Sequence, residues 1–156
     1  MNSILPFLTS LTLCTAVSAA EPKLDLQLVA SGFVSPMICQ SIPGGNGALL
    51  VGDQPGTAHV LGKDGKVREA LFLDLRPKMT ALKKGFDERG LLGFAFHPKF
   101  TGNRKFYVCY SGKRRASAPA DYDHTMVISE FKTKTDDLTT ADDASERVLL
   151  EIDQAY

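Results

Sequence analysis

The sequence has no tryptophan, only three cysteines and no net charge, its 18 Lys and Arg side chains being matched by 18 Asp and Glu. Zero net charge removes the electrostatic reason to expect nucleic acid or an anionic membrane as a partner. The one basic run, Lys113-Arg114-Arg115, sits beside Gly112 in a loop-like stretch and reads as a solvated loop. Cys-x-x-Cys, His-x-x-x-His and carboxylates at metal-ligand spacing are all missing, so no metal site is indicated. Phosphate-binding Gly-x-x-x-x-Gly-Lys-[Ser/Thr] and the nucleophile turn Gly-x-Ser-x-Gly are missing too, which excludes two common enzyme classes. Helical periodicity is equally scarce. After Pro22 no stretch sustains it for three turns, and the one short helix candidate is Met79 to Phe86.

Charge is also absent from the first twenty residues. Ile4 to Leu13 is mostly apolar, and Ala16-Val17-Ser18-Ala19-Ala20 supplies small residues before Glu21, the pattern of a secretory signal peptide over residues 1–20. The expected location is therefore secreted or periplasmic. No later hydrophobic run is long enough to span a bilayer. Cys39 and Cys109 lie beyond the cleavage site in apolar, strand-like runs, where they could pair in an oxidising compartment or remain buried free thiols.

What the chain does have is short apolar runs punctuated by turn residues. Met37–Ile42, Ala48–Val51, Thr57–Leu61 and Val67–Leu75 form a first set of four strand candidates. They are separated by Pro43-Gly44-Gly45-Asn46-Gly47, Gly52-Asp53-Gln54-Pro55-Gly56 and Lys63-Asp64-Gly65-Lys66. A second set follows: Leu91–Phe96, Lys105–Tyr110, Thr125–Lys132 and Arg147–Ile152. A turn at Pro98–Arg104, a polar loop at Ser111–Asp123 and an acidic, Thr-rich loop at Lys134–Ser145 separate these. Two successive four-strand units of roughly 40–60 residues are the pattern of β-propeller blades, although an immunoglobulin-like sandwich also uses short strands in this number. Propellers close with about 4 to 8 blades, so residues 21–156 hold an incomplete domain or one that assembles with copies of itself.

The centre of the second set is Asp87-Glu88-Arg89-Gly90-Leu91-Leu92-Gly93-Phe94-Ala95-Phe96-His97-Pro98, two opposite charges running into an apolar strand that His-Pro stops. The strand is expected to be buried on both faces, including Ala95. His97 reads as a turn-stabilising residue, His124 as a hydrogen-bonding residue at a loop exit, and His59 as a strand residue without a functional claim. Asp53 and Gln54 read as turn structure.

This segment resembles the glucose/sorbosone dehydrogenase family, secreted sugar dehydrogenases that use pyrroloquinoline quinone (PQQ), with relatives such as Hedgehog-interacting protein. Gly52-Asp53-Gln54-Pro55-Gly56, Phe106-Tyr107-Val108, Ile128-Ser129-Glu130-Phe131 and Ser145-Glu146-Arg147-Val148-Leu149-Leu150-Glu151-Ile152-Asp153-Gln154 resemble further family segments in the same order. The resemblance implies a six-bladed all-β propeller, of which this chain covers the amino-terminal two blades. It implies PQQ and calcium as cofactors, a sugar substrate and an electron acceptor. It also places the catalytic histidine, the calcium ligands and most quinone-binding cations beyond Tyr156, leaving no catalytic residue in this segment. Glu88 stands where the soluble enzymes have a glutamine at the quinone site, so Glu88 and Arg89 are the candidate cofactor-binding residues. Two readings stay open: Glu88 faces the channel, or Glu88 and Arg89 form an internal ion pair at the top of the blade. Two functions follow, a sugar oxidoreductase or a non-catalytic propeller that binds a partner, as in the Hedgehog-interacting type.

Overall fold

A computed structural model describes residues 24–155; the signal peptide expected over residues 1–20 lies outside them. The chain forms two four-stranded antiparallel sheets, each a meander in chain order. The first contains β1 (Pro36–Ser41), β2 (Leu49–Asp53), β3 (Thr57–Leu61) and β4 (Leu73–Asp74). The second contains β5 (Leu91–Phe96), β6 (Lys105–Lys113), β7 (His124–Lys134) and β8 (Asp137–Gln154), with a one-turn helix, α1 (Phe100–Asn103), between β5 and β6. No helix among the described residues is long and apolar enough to cross a membrane.

Alternation of side chains sets the register. Leu50, Ala58 and Val60 on the first sheet, and Leu91, Phe94, Phe106, Val108 and Phe131 on the second, turn inward and are buried between the two sheets. Phe72, just before β4, crosses from the first unit into this layer. Its ring meets Phe94 and Phe106 edge-on at centroid distances of 5.7 and 5.2 Å, while Phe106 stacks on both Phe94 and Phe131 at 5.0 and 5.6 Å. The backbone around Phe72 ties both sheets: its amide donates to the Ala58 carbonyl, and its carbonyl accepts from the Ala141 amide, each at 2.8 Å.

Several sequence expectations are corrected. The fourth strand of the first unit shrinks to Leu73–Asp74, preceded by an isolated Leu61–Val67 bridge, because residues 67–70 are exposed and bury no face. Met79–Phe86 is not helical. Met79 instead bridges Gly112, and the Thr80 amide donates to the Ser111 carbonyl at 3.0 Å, so tertiary pairing takes the backbone groups a helix would need. The same pairing lets β6 run on to Lys113, past the expected start of the loop. The acidic stretch within 134–145 is mostly strand, the first half of β8, accommodated by register shifts against β7. Strand β5 is not buried on both faces: Leu91 and Phe94 are, but Ala95 is exposed, since only one face of its sheet is covered by the other sheet. Cys39 and Cys109 are unpaired, and Cys39 is exposed rather than buried because it points away from the interlayer core. The His97 expectation holds. Its Nδ1 accepts from the Lys99 amide and lies the same 2.9 Å from Asn103 Nδ2, closing the turn around α1.

Candidate functional site

Residues 76–90 carry the chain from the first sheet to the second, and they meet the β2–β3 turn and the β6–β7 loop at one end of both sheets. Gln54 fastens this junction. Its Nε2 donates to the carbonyls of Asp87 (2.6 Å) and Arg89 (2.9 Å), its Oε1 accepts from Ser35 Oγ (3.0 Å), and its backbone carbonyl accepts from the Leu91 amide (2.9 Å). Gly90 makes this approach feasible. At φ 142° a Cβ on residue 90 would sit 2.5 Å from the Gln54 carbonyl oxygen, so only glycine lets the backbones come together. Removing the Gln54 side chain by Gln54→Ala leaves two buried-side carbonyls without a donor and is expected to lower stability by about 1–3 kcal/mol, read from the urea midpoint.

Asp53 does not serve its own turn through its carboxylate. It accepts from the Val34 amide at 2.8 Å and from the Ser35 amide, anchoring the segment that leads into β1. His59 is held by Thr57 Oγ1 at 3.0 Å and by an edge-on contact with Phe33.

Behind the junction lies a buried chain of charges. Arg89 is 5% exposed; its Nε and Nη2 donate to the two carboxylate oxygens of Asp87 at 3.0 and 2.8 Å, and Nη1 donates to Asp123 at 3.1 Å. Nη2 also reaches the Ala81 carbonyl at 3.1 Å. Asp123 in turn holds buried His124 through Nδ1 at 2.6 Å. The guanidinium of Arg89, helped by the backbone amides of Lys83 and Arg89, holds the Asp87 carboxyl well below the usual carboxylate range. The sequence flagged His124 and Arg89 separately; what it did not reveal is that Asp87 and Asp123, from different loops, join them. Glu88 lies on the same loop with its side chain exposed.

A cleft of about 740 Å³ opens beside this chain, lined by Gln54, Arg76, Met79, Lys83, Asp87 and Lys113 among others. A second network faces the first sheet. Glu146 accepts from Tyr110 Oη and Ser129 Oγ, both at 2.9 Å, and pairs with Lys78. Burial opposes ionisation of Glu146, but these three donors outweigh it and lower its pKa, while burial and the neighbouring carboxylate push the Tyr110 phenol up. Every member is satisfied, so the network braces the sheet.

Among the described residues no group of three His, Cys, Asp or Glu side chains could hold a metal ion. A carboxylate-bearing quinone needs cationic donors, yet the Arg89 guanidinium is already engaged by two carboxylates and a carbonyl, and Glu88 is itself an anion. The candidate pair Glu88 and Arg89 therefore does not by itself fit such a quinone; the cations that line the neighbouring cleft are Arg76, Lys83 and Lys113.

No family model matches the chain. By sequence it is similar to Hedgehog-interacting protein from mouse, 29% identical over 133 residues, and from human, 29% over 131. Those matches cover 85% and 84% of this chain, which spans 19% of each relative's length. By structure it is similar to an oxidoreductase described as a glucose dehydrogenase from Thermus thermophilus, with a TM-score of 0.57 and 20% identity over 80% of this chain and 31% of the other. The PQQ-bound aldose sugar dehydrogenase of Streptomyces coelicolor matches with a TM-score of 0.53 and 22% identity over 82% of this chain and 32% of the other. The chain thus resembles the sugar dehydrogenases in fold and Hedgehog-interacting protein in sequence, and its two sheets are two blades of a propeller of that kind.

Proposed function

We propose that the chain is the amino-terminal part of an exported propeller oxidoreductase that acts on a small sugar, with PQQ, calcium and an electron acceptor engaged mainly by other blades. The observation that carries this reading is the two-sheet fold, which follows the sugar dehydrogenases over about four fifths of the chain. In this reading Glu88 is the residue presented at the rim of the channel. Arg89 acts from behind it, through Asp87 and Asp123, to fix the loop that carries Glu88. PQQ would supply hydride acceptance when bound; the part played by these residues is to shape and hold one wall.

A second reading, a partner-binding propeller without quinone chemistry, is favoured by the sequence similarity to Hedgehog-interacting protein and by the acid at position 88. Dye reduction with PQQ, calcium ions and an aldose separates the two. The chain alone is expected to give no sugar-dependent turnover. General-base catalysis typically contributes about 10²–10⁴-fold in rate, and the histidines here are committed: His124 to Asp123, His97 to its turn, His59 to Phe33. A longer product that carries this chain within a full ring is expected to turn over only with PQQ present. Should that product fold yet take up no PQQ, the enzyme reading fails and the binding reading stands.

A further inference from the structure

The turn between β1 and β2 lies at the end of the sheets away from the junction, beside α1 and the β7–β8 turn. A Cβ built on Gly44 in this turn would stand 2.9 Å from Leu138 and 3.0 Å from Thr101. The tip is Asn46-Gly47. Both residues have positive φ, 53° and 84°, and the Ala48 amide donates to the Gly45 carbonyl at 3.0 Å, the geometry of a type I′ turn. Asn46 is exposed, and no hydrogen bond among the described residues holds its side-chain amide. The Gly47 amide nitrogen, next in the chain, likewise donates to no group among them. Gly47 has no Cβ to shield that nitrogen, and the side chain nearest to where one would stand, Lys63, is 3.4 Å away. Asn103 is the contrast. Its Nδ2 lies 2.9 Å from His97 Nδ1, its Oδ1 accepts from the Lys105 amide at 3.0 Å, and Arg104 follows it.

We propose that Asn46 is a site of spontaneous deamidation in the folded protein, and that its isoaspartyl product loosens the first sheet. The Gly47 nitrogen attacks the Asn46 side-chain carbonyl carbon and a C–N bond forms. The side-chain nitrogen leaves as ammonia, carrying the proton of the Gly47 amide, and a succinimide remains. Water then opens the ring at either carbonyl to give aspartate or isoaspartate. The net change replaces NH2 by OH and needs no oxidant or reductant. Attack requires Asn46 to swing out of its turn conformation, and the Ala48–Gly45 bond is what closes the tip over it. Fraying of an exposed tip is among the least costly local openings. The two products differ in effect. Asp-Gly suits the same turn type, so aspartate leaves the β1–β2 pairing in place. It adds a carboxylate between Lys63, Lys66 and Arg68 on one side and Asp136 and Asp137 on the other. Isoaspartate routes the main chain through a methylene, adds a backbone atom to the turn and works against the Ser41–Leu49 register. The inference stands apart from both functional readings, because this turn is remote from the junction.

The test incubates the longer product that carries this chain in mildly alkaline buffer, beside a free peptide of residues 41–50. Peptide mapping reads the exchange of NH2 for OH, and labelling by an isoaspartate methyltransferase reads the isomer. A tip that opens at a cost below about 1.4 kcal/mol reacts within roughly tenfold of the free peptide. Conversion of Asn46 in the folded protein is expected within that range, with Asn103 unchanged. Asn46→Gly keeps a residue suited to the type I′ turn, so it is expected to fold and to lose the methyl labelling of this segment. The isoaspartyl fraction is expected to unfold at a lower urea midpoint than the Asn46→Asp variant. Conversion more than tenfold slower than in the peptide, or full methyl labelling in Asn46→Gly, would overturn the site. Equal midpoints for the isoaspartyl fraction and Asn46→Asp would overturn its effect on the sheet.

Discussion

Phe106→Ala is expected to cost about 3–5 kcal/mol of stability, the range of large aromatic truncations in a close-packed core. Phe106 is fully buried, and its ring touches Phe72, Phe94 and Phe131, so it joins side chains from both blades. Alanine leaves a cavity whose walls belong to two different sheets, and neither sheet can relax into it without shifting against the other. Phe96→Ala, at a half-buried ring on the border of the same cluster, is expected to cost less. Chemical denaturation of the two variants checks the order. Equal losses would place the structural centre at the β5 end of the cluster and refute the hub assigned to Phe106.

Removing Arg89 is the second change with a large expected effect. Arg89→Ala takes away the cation that neutralises Asp87 and Asp123 while leaving Asp87 buried, and breaking one side of a buried ion pair costs about 3–5 kcal/mol. Asp87→Asn/Arg89→Met, which removes the charge from both partners, should recover much of that loss. The sign of the pH dependence follows from the depressed pKa of Asp87. The group is ionised in the folded state at pH values where the unfolded chain binds a proton, so its contribution is complete above the unfolded pKa near 4. It drains away as pH falls toward the folded value. Unfolding free energy measured between pH 6 and pH 3 should therefore fall more steeply in the parent than in the double variant. Parallel curves would mean that Asp87 does not carry the acid sensitivity.

The sheets were legible in the sequence because strand burial writes itself as short apolar runs between residues that turn the chain. Leu91–Phe96 and Thr57–Leu61 fall where the pattern puts them. The acidic segment at 134–145 was not legible as strand. Asp137, Ala141 and Asp142 pair through backbone groups on an outer edge, where side-chain polarity carries little information about pairing. Met79–Phe86 failed for the opposite reason: local propensity suggested a turn of helix, and backbone pairing of Met79 and Thr80 with the end of β6 overrode it. At the site, Glu88 and Arg89 could be singled out, and so could His124. Their linkage through Asp123 could not, because 34 residues separate Arg89 from Asp123 and only the folded meander brings them together.

The meander order of both sheets also bears on how the chain reaches this state. Within each sheet every strand pairs with the next one in sequence, so each sheet can close by successive hairpins without first closing a long loop. The contacts that span the two units are of another kind: Phe72 set among Phe94 and Phe106, and the Gln54 carbonyl meeting the Leu91 amide. These can form only after both sheets have their register. Docking of the two sheets is the step expected to set the folding rate: in stopped-flow refolding, substitutions at Gln54 or Gly90 are expected to slow the main phase, and an unchanged rate would refute this.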